Sequence, residues 1–121
     1  MSSLRLFHPT KKINATISLG GSKSISNRIL LIRALCDTKF KIENLSTSDD
    51  TQTLDKLLSE NSNHYDAGHA GTTFRFLTAF LAFKQGSQYL TGSERMQKRP
   101  IKALVDALIE IGAKIEYEKE E

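Results

Sequence analysis

The 121-residue sequence contains no tryptophan, one cysteine and two prolines. A single cysteine, Cys36, can neither close an internal disulfide nor build a cysteine-based zinc site, because both need several sulfur ligands. It falls in an apolar helical pattern and reads as a small packed hydrophobe rather than a nucleophile. Aromatic residues make up 7% of the chain and most are phenylalanine, which leaves few rings to stack on nucleobases. No apolar run approaches the roughly 18 residues of a membrane span, and residues 1–10 lack the apolar stretch of a secretory signal. The expected location is the cytoplasm. His8, His64 and His69 show no metal-ligand spacing, so no metal is expected.

What remains is the composition of a folded domain, with 39% apolar and 26% charged residues. A chain of this length has room for one domain, residues 1–121, with a modest core. The formal charge is +3, but residues 116–121 hold four Glu and one Lys, so the rest of the chain carries +6. A basic body suits anionic ligands, either phosphorylated metabolites or nucleic acid, without choosing between them.

Periodicity gives the expected element order. Ile13, Ala15, Ile17 and Leu19 alternate with polar residues, the two-residue period of a half-buried strand over 13–19. After Gly20 and Gly21 the period lengthens. Ile25, Ile29 and Ile32, with Leu31 and Leu35, predict a helix whose N-cap is Ser22. Phe40, Ile42 and Leu45 suggest a second strand, and SerThrSerAspAsp precedes a short helix carrying Leu54, Leu57 and Leu58. A third helix is predicted over 70–84 and a strand over 88–91. Arg99 and Pro100 are expected to open a fourth helix, with proline in its first turn, that Gly112 stops. Residues 113–118 alternate as a last strand. The order β-α-β-α-α-β-α-β implies an α/β fold, mixed α+β in detail. A sheet ending on that last strand would leave an unpaired edge, one hint that the chain is part of a longer one.

Three segments could carry chemistry. In Gly20-Gly21-Ser22-Lys23-Ser24-Ile25-Ser26-Asn27-Arg28, paired glycines let a ligand approach the backbone, and the helix start offers free N–H groups at the positive end of its dipole. Ser24 and Arg28 share a helix face, and Lys23 lies in the first turn. This is not a Walker A loop, which needs glycine where Ser22 stands. The same pattern also fits a plain glycine turn with surface cations. Asp66-Ala67-Gly68-His69-Ala70-Gly71-Thr72-Thr73-Phe74-Arg75 is a second glycine-bearing turn entering a helix, where Gly71 leaves room for a ligand. Taken alone, it fits an ordinary helix start better. Leu90-Thr91-Gly92-Ser93-Glu94-Arg95-Met96-Gln97-Lys98-Arg99-Pro100 is a cation-rich loop able to fork hydrogen bonds onto carboxylate or phosphate, or to sit solvated. The first and third follow predicted strands, and the three together would gather several anion donors on one edge of the sheets.

GlySerLysSerIleSerAsnArg, SerAspAspThr, AlaGlyThrThrPheArgPhe and LeuThrGlySerGluArgMetGlnLysArgProIle, in that order, closely resemble the N-terminal motifs of the 5-enolpyruvylshikimate-3-phosphate synthases. The likeness runs from about Leu4 to Tyr117. The related UDP-N-acetylglucosamine enolpyruvyl transferases have a different lysine motif and a reactive loop cysteine, for which Cys36 is misplaced.

The resemblance implies a transferase of the shikimate pathway, in aromatic amino-acid biosynthesis. It would move the enolpyruvyl group of phosphoenolpyruvate onto the 5-hydroxyl of shikimate 3-phosphate and release phosphate, with no metal or organic cofactor. By motif position, Lys23, Ser24 and Arg28 are the expected shikimate 3-phosphate contacts. Lys23, Gly71 and Arg95 are those of phosphoenolpyruvate and its mimic glyphosate. Thr72 is a neighbour lining the site, and Asp49 and Arg75 are supporting residues behind it. The family's enzymes close two domains of βαβαββ units over their substrates. The chain is therefore expected to be part of an N-terminal domain, inactive alone, whose missing C-terminal domain supplies the acid and base. No catalytic residue is assigned within it. The full enzyme is expected to be a monomer with small-molecule substrates and neither nucleic acid nor membrane as partner. His69 stands where many members have asparagine, and the stretch from Asp50 to Gly71 is short. A stand-alone module binding RNA or a phosphometabolite without catalysis is the alternative reading.

Overall fold

The computed structural model describes residues 3–118. Five helices and two short strands follow one another as α1 (Lys23–Leu35), α2 (Asp49–Ser59), β1 (His64–Asp66), α3 (Gly71–Leu81), β2 (Tyr89–Thr91), α4 (Glu94–Gln97) and α5 (Lys102–Glu110). The strands pair in parallel with Tyr65 opposite Leu90, and α3 bridges them. Parallel strands need such a crossover, since a tight turn can only reverse the chain. The fold is mixed α/β.

Helices α1 and α2 form where apolar periodicity meets a cap. Ser22 and Ser48 each sit in extended backbone and accept, through Oγ, the N–H three residues on. This satisfies a donor that the helix itself leaves free. Helices α1, α2 and α3 then pack on the sheet through Leu30, Leu54, Leu57, Leu77, Leu81 and the ring of Tyr65, all buried. Ile42, Leu45, Phe76, Phe80 and Leu90 lie partly buried against them. Each fully buried Leu contributes on the order of 2 kcal/mol through area removed from water.

Several expectations from periodicity are corrected. Residues 13–19 form no strand, and Ile13, Ile17 and Leu19 are exposed. Alternation provides an apolar face, but a strand also needs a neighbour for its N–H and C=O groups. Among the described residues the only ladder joins β1 and β2. Residues 40–45 are no strand either. Asn44 takes φ +53°, a left-handed conformation that interrupts extended backbone, while Ile42 and Leu45 still reach the core. Residues 113–118 leave α5 through Gly112 at φ +106°, bury Ala113 and pair with nothing described. The fourth expected helix begins at Lys102, beyond Pro100, because Ile101 C=O accepts the first helical N–H groups, those of Leu104 and Val105. The segment ahead of it forms α4, where Ser93 C=O accepts from Met96 and Gln97 N–H.

The paired glycines differ in what surrounds them. A Cβ at Gly20 would meet nothing within 4 Å, whereas one at Gly21 would run into the backbone carbonyl of Asn44. Gly21→Ala is therefore expected to destabilise the chain by about 1–3 kcal/mol, the usual cost of forcing backbone apart. Gly20→Ala should stay within about 0.5 kcal/mol. Urea unfolding midpoints for the two variants measure the difference, and equal midpoints would contradict the close approach of residues 21 and 44.

Candidate functional site

The starts of α1 and α2 and the turn after β1 converge on one open cleft of about 610 Å³. Helix α1 contributes Lys23. Helix α2 contributes Asp49, Asp50, Thr53 and Lys56, with its cap Ser48, and the turn contributes residues 66–70. The turn is tightly made. Asp66 Oδ1 accepts from Gly68 N–H at 2.8 Å, Gly68 takes φ +53°, and Ala70 N–H donates to Ala67 C=O at 2.9 Å. Ser93 N–H then donates to Gly68 C=O at 2.9 Å, tying the turn to the segment after β2.

Beneath the cleft lies a seam of buried polar groups. Ser26 Oγ accepts from Ser46 N–H at 2.9 Å, Thr51 Oγ1 donates to Asn27 Oδ1 at 2.7 Å, and Thr73 Oγ1 donates to the Asp50 carbonyl at 2.8 Å. Asn27, Thr51 and Thr73 are 0% exposed. A buried hydroxyl or amide without its partner bears the full cost of lost hydration, so these bonds hold the three helix starts in one relative position.

The helix starts are not electrostatically alike. The first turn of α1 contains no acidic residue, so its dipole and the N–H groups other than that of Ile25, which Ser22 caps, are open to an anion. Helix α2 begins with Asp49 and Asp50, which already complement its dipole. Helix α3 has no acidic residue in its first turn and no side-chain cap on Ala70. Lys23 Nζ reaches Asp50 Oδ2 at 2.9 Å, with the lysine side chain 49% and the aspartate 20% exposed. A pair this exposed is worth less than about 1 kcal/mol, so an incoming phosphate can compete for the ammonium at small cost.

Lys23 and Asp49 thus come together at the cleft. Gly71 and Arg75 line a second, nearly filled hollow with Met96, Arg99 and Pro100. There the Arg99 guanidinium lies where a Gly71 Cβ would be, and Arg75 Nη2 donates to the Pro100 carbonyl at 2.8 Å. Ser24, Arg28, Thr72 and Arg95 line neither hollow. Arg28 Nη1 donates to the Ser24 carbonyl at 2.8 Å and its guanidinium stands 5.9 Å from the centre of the Phe76 ring. Thr72 is half-buried in the first turn of α3, and Arg95 is exposed on α4. Sequence reasoning missed Asp50 as the partner of Lys23, Lys56 in the cleft wall, and Arg99 against Gly71. The doubled aspartate after the Ser48 cap was the available signal for the first. The other two depend on how α2 and the 98–101 link are turned, which no motif spacing reports.

A family model described as EPSP synthase (3-phosphoshikimate 1-carboxyvinyltransferase) matches residues 7–62 and 54–121. The chain is 50% identical over 116 residues to a Bacteroides fragilis (strain YCH46) protein named 3-phosphoshikimate 1-carboxyvinyltransferase, covering 96% of this chain and 28% of the relative. Proteins of that name from Vibrio vulnificus (strain YJ016) and Paraburkholderia phymatum are 39% and 40% identical, over 97% and 93% of this chain. Their matched shares are 33% and 31% of their own lengths. The chain therefore spans about a third or less of these curated relatives.

Thr51→Val tests the buried seam, because it strips the Asn27 amide of its one bonded contact, Nδ2 being already unpartnered. The expected loss is about 1–3 kcal/mol in urea unfolding. Combined with Asn27→Leu the loss should be less than the sum of the two single changes, as for groups that depend on each other. Simple additivity would mean that the bond does not hold α1 to α2.

Proposed function

The chain belongs to the EPSP synthase (3-phosphoshikimate 1-carboxyvinyltransferase) family, and on that premise we propose that it forms one wall of a site for enolpyruvyl transfer. The group would pass from phosphoenolpyruvate to the 5-hydroxyl of shikimate 3-phosphate, and phosphate would leave. The reading rests most on one observation: the family's lysine, Lys23, stands at an acid-free helix start facing a cleft of substrate size.

Both substrates carry a phosphate and a carboxylate, so the site has to hold several negative charges close together. Cations and oriented backbone N–H groups do this at the least cost. In this reading Lys23 leaves Asp50 for the substrate phosphates, Ser24 and Arg28 hold shikimate 3-phosphate, and Gly71 and Arg95 receive phosphoenolpyruvate. Asp50 is then a parking partner that keeps the ammonium extended toward the cleft. The chemistry protonates the methylene carbon of the enolpyruvyl group, lets the 5-hydroxyl oxygen add to the neighbouring carbon with loss of its proton, and then expels phosphate as the new methyl group gives up a proton and the double bond reforms. Three proton transfers, onto the methylene carbon, off the hydroxyl and off the resulting methyl group, need an acid and a base, and we assign neither to this chain. These 121 residues alone are therefore expected to bind without turnover.

Titration of the chain with shikimate 3-phosphate should show weak binding that fades as salt rises. Lys23→Ala should weaken it about tenfold or more, as loss of one charge-assisted hydrogen bond does. Lys41→Ala, on an exposed side chain outside the cleft, should leave it unchanged. Equal effects of the two substitutions, or phosphate release by the pure chain, would overturn the reading. RNA binding indifferent to shikimate 3-phosphate would favour a non-catalytic module instead. In a full-length enzyme, Gly71→Ala would push Arg99 aside and should raise KM for phosphoenolpyruvate more than for shikimate 3-phosphate.

A further inference from the structure

Counting charges around the cleft raises a difficulty for anion binding. Its lining brings Asp49, Asp50 and Asp66 against Lys23 and Lys56, so with His69 neutral the wall carries one negative charge in excess. Both ammonium groups are also engaged, Lys23 with Asp50 at 2.9 Å and Lys56 with Glu60 at 3.7 Å. Asp66 is partly answered by Gly68 N–H, while Asp49 is exposed. Arg75 of α3 and Arg99 line the other hollow, and no residue of α4 lines the cleft.

His69 is the remaining group able to change this balance. It lies on the cleft wall between the Asp66 turn and the start of α3, it is exposed, and its ring has no hydrogen-bond partner among the described residues. Imidazole is the side chain whose charge ordinarily changes between about pH 5 and 8. A proton on it brings the wall to neutrality and adds a donor at the cleft wall.

We propose that a phosphate ester entering this cleft draws a proton onto His69, so that anion binding and protonation of this one ring are thermodynamically linked. This rests on the anion site proposed above and adds to it the group that sets its pH dependence. The sign follows from linkage: a ligand that favours the charged ring binds best at low pH and is weakened as pH rises through the imidazole range. The neutral asparagine amide can take the place of the ring as a hydrogen-bond donor but cannot supply its charge.

The test is calorimetric titration of the full chain with shikimate 3-phosphate and, separately, phosphoenolpyruvate. It is run at about pH 5.5 and about pH 8, on either side of the imidazole range, in two buffers of different ionisation enthalpy. The chain should lose affinity on the order of tenfold between the two pH values, a usual size for coupling between two sites, and should take up protons on binding near neutrality. His69→Asn, measured with the same ligands, cancels the ligands' own titration and should lose both the added pH dependence and the added proton uptake. Asp66→Asn removes the excess carboxylate, so it should strengthen binding at the higher pH and flatten the profile. If His69→Asn and the unaltered chain show the same pH profile and proton uptake, the linkage is overturned while the anion site stands. If neither ligand binds at either pH, the anion site fails and the linkage with it. Should His69→Asn fail to fold, an Asp66→Asn profile identical to that of the unaltered chain would overturn the linkage by itself.

Discussion

Hydroxyl and amide groups shut away from water hold the cleft together: Ser26 on Ser46, Thr51 on Asn27, and Thr73 on the Asp50 carbonyl. Apolar contacts among Leu30, Leu54, Leu57 and Leu77 bring α1, α2 and α3 together, but such contacts are non-directional and tolerate sliding. Hydrogen bonds between buried groups do not, since a shift of an ångström leaves a donor or acceptor unpaired at a cost comparable to the whole bond. The seam therefore fixes which helix starts face one another, and with them the position of Lys23 relative to the Asp66 turn.

Above this seam the charges are mixed rather than uniformly basic. Helix α2 spends its dipole on its own Asp49 and Asp50, and Asp50 in turn holds Lys23. The arrangement keeps a lysine extended and partly neutralised until a stronger anion competes for it, which costs less than burying an unpaired ammonium. The same mixture leaves the wall short of positive charge, and this gives the single imidazole at position 69 its weight.

How much of this was legible in the residues varied with the kind of signal. Helix α1 was readable to its cap, Ser22, and α2 to the cap-rich cluster from which the structure selects Ser48, because a capping hydroxyl and an apolar repeat are two local signals that agree. Helix α3 and strand β2 were legible as elements. The strand β1 and the helix α4 were not: β1 sets one buried residue, Tyr65, between two exposed polar ones, and α4 is four residues long, about one turn. The expected strands at 13–19 and 113–118 were misjudged for the opposite reason. Their alternation is real, but strand formation depends on a partner elsewhere in the chain, and no described segment pairs with them. At 40–45 a single left-handed residue, Asn44, was enough to defeat the pattern.

The sequence by itself determined the family, through four motifs in order, and the local chemistry of each motif: glycines that admit a close approach, caps that start helices, cations placed in first turns. These are properties of neighbours along the chain, settled within a few residues of one another. Only the tertiary structure decided which motifs share a surface. It set Lys23 against Asp50 and in one cleft with His69, put Arg99 over Gly71, and turned Arg28 toward Phe76. Those pairings span some 25 to 50 residues of sequence, and they depend on helix packing and the buried seam, for which no local pattern carries a code.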